Sequence, residues 1–126
     1  MIYLDTHVVI WLYAGLSEKL TDLAKILINE NEIYISAIVR LELQYLYEIQ
    51  RITDESDLII SDLSNRIGLK ICDKNFNLII SQSLAINWTR DPFDRIITAN
   101  ANLNNNILIT KDKNILANYI YAKWEN

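Results

Sequence analysis

Four acids stand where a carboxylate can do more than face water: Asp5, Glu42, Asp94 and Asp112. Asp5 closes the apolar run Ile2-Tyr3-Leu4. Glu42 is surrounded by Leu41, Leu43, Tyr45 and Leu46. Asp94 belongs to Arg90-Asp91-Pro92-Phe93-Asp94-Arg95, which holds the only proline of the chain. Asp112 follows the run Ile107-Leu108-Ile109-Thr110. A glutamate in apolar surroundings is costly to bury unless it is paired or binds a metal. Carboxylates brought within a few ångströms repel one another and resist ionising together. A divalent cation relieves both problems, and carboxylate oxygens with waters are the natural shell of Mg²⁺ or Mn²⁺. The chemistry to expect is hydrolysis by metal-activated water.

Each acid also has a plainer reading. Asp5 could cap the first helix, and Glu42 could lie on the solvent face of its own. Asp94 could close a capping box with Asp91, and Asp112 could be an ordinary turn acid. Thr6 and Thr110 are either cap and turn residues or groups that orient a metal and its water. Arg95, like Arg90, either pairs with nearby acids or meets phosphates. His7 and the three tryptophans read first as packing residues.

The elements that must position these groups can be read from the spacing of apolar residues. Ile2-Tyr3-Leu4 is a short buried strand, followed by a helix capped at Thr6 that runs through Tyr13 to a stop at Gly15. Ser17 is the expected cap of a second helix with Leu20, Leu23, Ala24, Leu27 and Ile28 on one stripe. Residues 32–36 form a strand. A long helix over about residues 37–52 presents Ile38, Leu41, Tyr45, Leu46 and Ile49. Thr53 is the expected cap of the next helix, which ends at Gly68. A third strand covers residues 69–72, and Asp73 caps a helix containing Phe76, Ile79 and Ile80. Asp91 then serves as N-cap and Pro92 as the first helical residue, where its missing N–H matters least; Asp94 falls one turn in. A strand over 107–110, a short helical turn and a last strand within 119–124 complete the chain. Strands alternating with helices imply a parallel sheet covered on both faces, with ligands bound beyond the carboxyl ends of its strands. Asp5, Asp94 and Asp112 all fall at that rim.

Bulk properties narrow the field. The 126 residues suit one domain spanning 1–126, and the 51% hydrophobic content can fill one core. No apolar run reaches the length of a membrane span, and no basic leader precedes the first strand. The single Cys72 is expected to be a buried thiol of a reducing cytoplasm, and one cysteine with one histidine excludes a Cys/His zinc site. The net charge is −4, but unevenly spread: residues 1–66 carry 5 Lys/Arg against 11 Asp/Glu, and residues 67–126 carry 7 against 5. An acidic chain is an unusual nucleic-acid binder, yet Arg90, Arg95, Lys111 and Lys113 surround the C-terminal acids. There is no glycine-rich phosphate loop.

The ordered set Leu4-Asp5-Thr6-His7, Glu42, Arg90 to Arg95 with the helix after it, and Thr110-Lys111-Asp112 resembles the PIN-domain family, in particular its VapC-like toxin ribonucleases. The resemblance extends over essentially the whole chain. It implies a three-layer α/β/α sandwich with a central parallel sheet of four to five strands. It implies a Mg²⁺ (or Mn²⁺) site made by Asp5, Glu42, Asp94 and Asp112, supported by Thr6, Thr110 and Arg95, with Asp91 as helix cap. It further implies RNA as substrate, cleaved to a 5′-phosphate and a 3′-hydroxyl. The implied partners are a second copy of the chain and a cognate antitoxin, in the cytoplasm. Trp88-Thr89-Arg90 replaces the His-Arg or His-Lys that often precedes Asp-Pro-Phe-Asp in that family.

Other classes fit less well. A metal-dependent phosphatase of the haloacid-dehalogenase type needs an aspartate two residues after the first, where this chain has His7. A receiver-like binding module needs one phosphorylated aspartate and a lysine partner, which leaves Glu42 without a role. A non-catalytic PIN-like scaffold is disfavoured by the presence of all four acids; the phosphatase is the runner-up enzyme, and a PIN nuclease that is not a toxin is a further alternative.

Overall fold

The computed structural model describes residues 1–125. Its strands are β1 (Ile2–Leu4), β2 (Ile33–Ile35), β3 (Lys70–Ile71), β4 (Ile107–Ile109) and β5 (Ala122–Lys123). All pair in parallel, in the order β3-β2-β1-β4-β5. Ile2, Tyr3 and Leu4 lie opposite Ile107, Leu108 and Ile109. Both central strands are almost entirely buried, as their unbroken apolar sequence requires. The chain runs from β1 outward through β2 to β3, then returns to the other side of β1. The strand order therefore reverses between β1 and β4, where a crevice opens in sheets of this kind.

Among the described residues, seven α-helices cover the sheet: α1 (Thr6–Ala14), α2 (Asp22–Glu30), α3 (Ala37–Glu48), α4 (Ser56–Ile67), α5 (Phe76–Ser83), α6 (Pro92–Asn102) and α7 (Lys113–Asn118). The expected three-layer α/β/α architecture is the one observed. Gly15 and Gly68 end α1 and α4 in the left-handed conformation, at φ 71° and 73°.

Several caps differ from expectation. Residues 17–19 make one tight 3₁₀ turn, and Thr21 caps α2 instead, accepting from the Ala24 N–H at 3.1 Å. The Thr21 hydroxyl also donates to the Trp124 carbonyl, a tertiary bond that no local pattern announces. Thr53 does not cap α4. The Ser56 N–H is taken by the Gln44 side chain of α3 at 3.2 Å, and the Ser56 hydroxyl donates to the Arg40 carbonyl. Asn75 rather than Asp73 caps α5.

The apolar stripe of α3 also needs correction. The helix is apolar on most of its circumference, so period alone does not choose a face. It buries Val39 and Leu43, while Leu41, Tyr45 and Ile49 are exposed. Glu42, three residues after Val39, is thereby carried to the shoulder of the helix beside β1. Cys72 is only half-buried, and its Sγ accepts from the Tyr3 hydroxyl at 3.1 Å. Among the described residues no helix is long and apolar enough to cross a membrane.

Two apolar clusters hold the site elements in place. The larger joins the sheet to α1, α3, α4 and α6 through Leu4, Val8, Val9, Leu43, Leu63, Ile97 and Leu108. The smaller, Ile79, Ile86 and Ala99 with Trp88 and Ile96 against it, clamps α5 onto α6.

Candidate active site

A cleft of about 440 Å³ opens at the carboxyl ends of β1 and β4, lined by Asp5, His7, Trp11, Glu42, Asp91, Asp94, Lys111 and Asp112. All four acids expected from sequence are on its wall. Asp91 joins them as a fifth.

Four of the five acids are held by hydrogen bonds from the protein. Asp5 follows β1 and is the N-cap of α1, its Oδ1 accepting from the Thr6 N–H at 2.8 Å. Its Oδ2 accepts from the Thr110 hydroxyl at 2.6 Å. Thr110 follows β4 directly, is wholly buried, and also accepts from the Asp112 N–H at 3.0 Å. Asp112 caps α7 through its Oδ1, which accepts from the Ile115 N–H at 2.9 Å. Asp91 caps α6 in the same manner, its Oδ1 accepting from the N–H groups of Phe93 at 2.8 Å and Asp94 at 3.3 Å. Glu42 accepts from the Thr6 hydroxyl through Oε1. Among the described residues, no donor meets the second oxygen of Glu42, Asp91 or Asp112, and none meets either oxygen of Asp94.

The electrostatics follow from burial and crowding. Burial pushes the Asp94 carboxyl up to about 7, and the charges of Asp5, Asp91, Asp112 and Glu42 push in the same direction. Glu42 is raised by burial, against the bond from Thr6, with Asp5 and Asp91 adding repulsion. Burial also raises Asp5, which is opposed by its bonds from Thr110 and Thr6. Unmet carboxylate oxygens facing one cleft are a donor set suited to a hard divalent cation. The groups are nevertheless not drawn into a closed cage. Among the described residues, no three His, Cys, Asp or Glu side chains stand close enough to grip an ion as they are.

A family model for the PIN domain matches residues 2–120. The chain belongs to the PIN-domain family. Among solved structures, this PIN chain is similar to one in a toxin–antitoxin complex from Klebsiella pneumoniae. That match has a TM-score of 0.70 at 21% identity, covering 98% of this chain and 96% of the other. It is also similar to a chain of VapBC2 from Rickettsia felis bound to a DNA fragment from their promoter. There the TM-score is 0.64 at 21% identity, covering 99% of this chain and 100% of the other. These likenesses establish the fold. No curated protein matches the chain.

Of the supporting residues expected from sequence, Thr6 and Thr110 sit directly behind the acids. Arg95 does not join them. Its guanidinium donates to the Ser83 carbonyl at 3.0 Å, tying α6 to the end of α5, so it acts as a clamp outside the PIN cleft. One residue of α6 separates the two fates: Asp94 faces the strand ends, and Arg95, a further 100° around the helix, faces α5. Three further residues line the cleft without carrying a carboxylate. His7 stands two positions after Asp5 and is exposed, and Lys111 immediately precedes Asp112. Trp11 is one turn beyond His7 on α1, and their rings lie 6.1 Å apart. Proximity in sequence to the acids was the available signal for the first two.

Proposed function

We propose that this PIN domain is a Mg²⁺- or Mn²⁺-dependent endoribonuclease and the toxin of a toxin–antitoxin pair. The observation that supports it most directly is the convergence of Asp5, Glu42, Asp91, Asp94 and Asp112 on one cleft, where all but Asp5 keep at least one carboxylate oxygen that no donor among the described residues meets. Asp5, Glu42, Asp94 and Asp112 would hold the cation. What a bound divalent cation supplies in such a site is charge neutralisation at a phosphate and a hydrolytic water of lowered pKa. The chain's own residues do the rest. Thr110 and Thr6 hold Asp5 and Glu42 in fixed orientations. The Asp91 cap sets the first turn of α6 and so aims Asp94. Lys111 places a positive charge at the lip of an otherwise acidic cleft, where a phosphate has to pass.

The toxin assignment draws on the toxin–antitoxin complexes among the similar structures. It brings an antitoxin as protein partner, a homodimer as the assembly, and the cytoplasm as the site of action. The test is incubation of purified protein with diverse RNAs in Mg²⁺ or Mn²⁺. Cleavage that leaves 5′-phosphate ends and disappears in Asp5→Asn is the expected result; intact RNA with both proteins refutes the nuclease reading. The toxin role is tested separately, by growth arrest on induction that co-expression of the neighbouring gene product relieves.

A further inference from the structure

Beside the acidic cleft lies a second cleft of about 440 Å³, lined chiefly by Lys111, Lys113, Leu116, Lys123, Trp124 and Glu125. The two share Lys111 as a common wall. We propose that this groove carries the backbone of single-stranded RNA to the acids, with Lys111, Lys113 and Lys123 engaging phosphates flanking the one to be cut. The proposal rests on the ribonuclease reading of the acidic cleft.

The lysines are placed by the fold. Lys111 and Lys113 flank Asp112 at the end of β4, and Lys123 lies on the edge strand β5 opposite Ile109. Among the described residues the ion pairs are Arg40–Asp57 and Arg66–Asp62, and no described carboxylate forms a direct ion pair with these three ammonium groups. An aromatic pair underlies the junction of the clefts. Trp11 and Trp124 pack with ring centroids 5.8 Å apart, and the Nζ atoms of Lys111 and Lys19 lie 5.8 and 5.9 Å from the Trp11 ring. Such contacts hold long, flexible side chains over an apolar floor. In a chain of net charge −4, lysines meeting a single acid, Glu125, along this groove form a local track of the kind that follows a polynucleotide backbone.

Recession of the acids favours a single strand. Asp5 is only 7% exposed, and Glu42, Asp94 and Asp112 are half-buried. A flexible strand can lower one phosphate into the cleft while its neighbours stay on the rim. A duplex holds its phosphates on a stiff cylinder and cannot.

The test is fluorescence anisotropy of a labelled RNA of about twelve nucleotides, in EDTA so that cleavage does not interfere, across about 50–300 mM salt. Lys113→Ala/Lys123→Ala should weaken binding roughly tenfold at low salt and flatten the slope of log K against log salt by about 1.4, from about 0.7 per phosphate contact on a single strand. Lys25→Ala/Lys70→Ala, which removes the same charge elsewhere, should bind as wild type. Lys113→Arg/Lys123→Arg should restore binding, which separates lost charge from a damaged fold. Equal affinity and slope in wild type and Lys113→Ala/Lys123→Ala overturn the proposal, as does an equal loss in the Lys25→Ala/Lys70→Ala control. So does tighter binding of a matched duplex, or a groove-dependent preference for polyglutamate over RNA, which would make it a seat for an acidic protein. Failure of the nuclease reading looks different: RNA is bound in a groove-dependent way, yet survives Mg²⁺ and Mn²⁺.

Discussion

The Thr110 hydroxyl donates to Oδ2 of Asp5 across 105 residues of sequence, at 2.6 Å, joining the ends of the two central strands. Both partners are buried, so the bond favours the charged form of a carboxyl that burial pushes up. Thr110→Val keeps the shape and removes the donor. A hydrogen bond to a charged group contributes about 1.5–3 kcal/mol, and the expected loss of unfolding free energy at neutral pH is in that range. Thr110→Ser should recover most of it. Urea denaturation of the three proteins decides the matter, and equal midpoints for threonine and valine would show that Asp5 does not depend on this hydroxyl.

Asp91 and Asp94 should fail in different ways. Asp91→Ala removes a cap with two bonds from Phe93 and Asp94 N–H groups and should cost about 0.5–2 kcal/mol of stability. Some activity should remain. Asp94→Asn removes a half-buried, crowded charge, so the metal-free protein should be at least as stable as wild type at pH 7, yet inactive. Paired melting and cleavage assays separate the two, and full inactivity of Asp91→Ala at wild-type stability would contradict this division.

The metal-free protein should lose stability as pH rises. The Asp94 carboxyl goes from an ordinary value of 3.8 to about 7 in the fold, so between those values the native state holds a proton that the unfolded chain has released. Stability then falls with increasing pH across that window. The raised carboxyls of Asp5 and Glu42 act in the same direction. A cation that binds only the folded state opposes the trend. Melting temperatures in EDTA should therefore decline from pH 4 to pH 7, and the stabilisation gained from Mg²⁺ or Mn²⁺ should grow over the same range. A flat profile in EDTA would count against the acid crowding.

The face of α3 can be tested directly. Leu43 is fully buried and Leu41 is 57% exposed. Leu43→Ala should destabilise by about 2–5 kcal/mol, whereas Leu41→Ser, on the surface, should stay within about 0.5 kcal/mol. Equal effects in thermal melts would place the sheet against the other side of the helix.

The fold and the acids were largely legible from sequence because strong local rules govern them. Continuous apolar runs marked β1 and β4, and Asp91-Pro92 marked the start of α6. Apart from the local cap of α5 by Asn75, the failures share one cause: the deciding contact lies far away in the chain. Thr21 caps α2 while holding the Trp124 carbonyl, and α4 takes its first donor's partner from Gln44. The stripe of α3 misled because apolar residues surround most of that helix, and only the sheet selects Val39 and Leu43. Arg95 looked like part of the site because its neighbour is, and only the packing of α5 on α6 turns it away.

Asp5, Asp91 and Asp112 are at once the caps of α1, α6 and α7 and part of the acidic wall. One oxygen of Asp91 and of Asp112 is spent on architecture and the other left for chemistry. A copy of this chain drifting toward inactivity through these positions would therefore also fray three helices where they meet the sheet. Asp94 and Glu42 carry no such double duty, since neither caps a helix. If the proposed activity holds, substitution at either should silence the domain and leave its helix caps in place, whether by a laboratory or by descent.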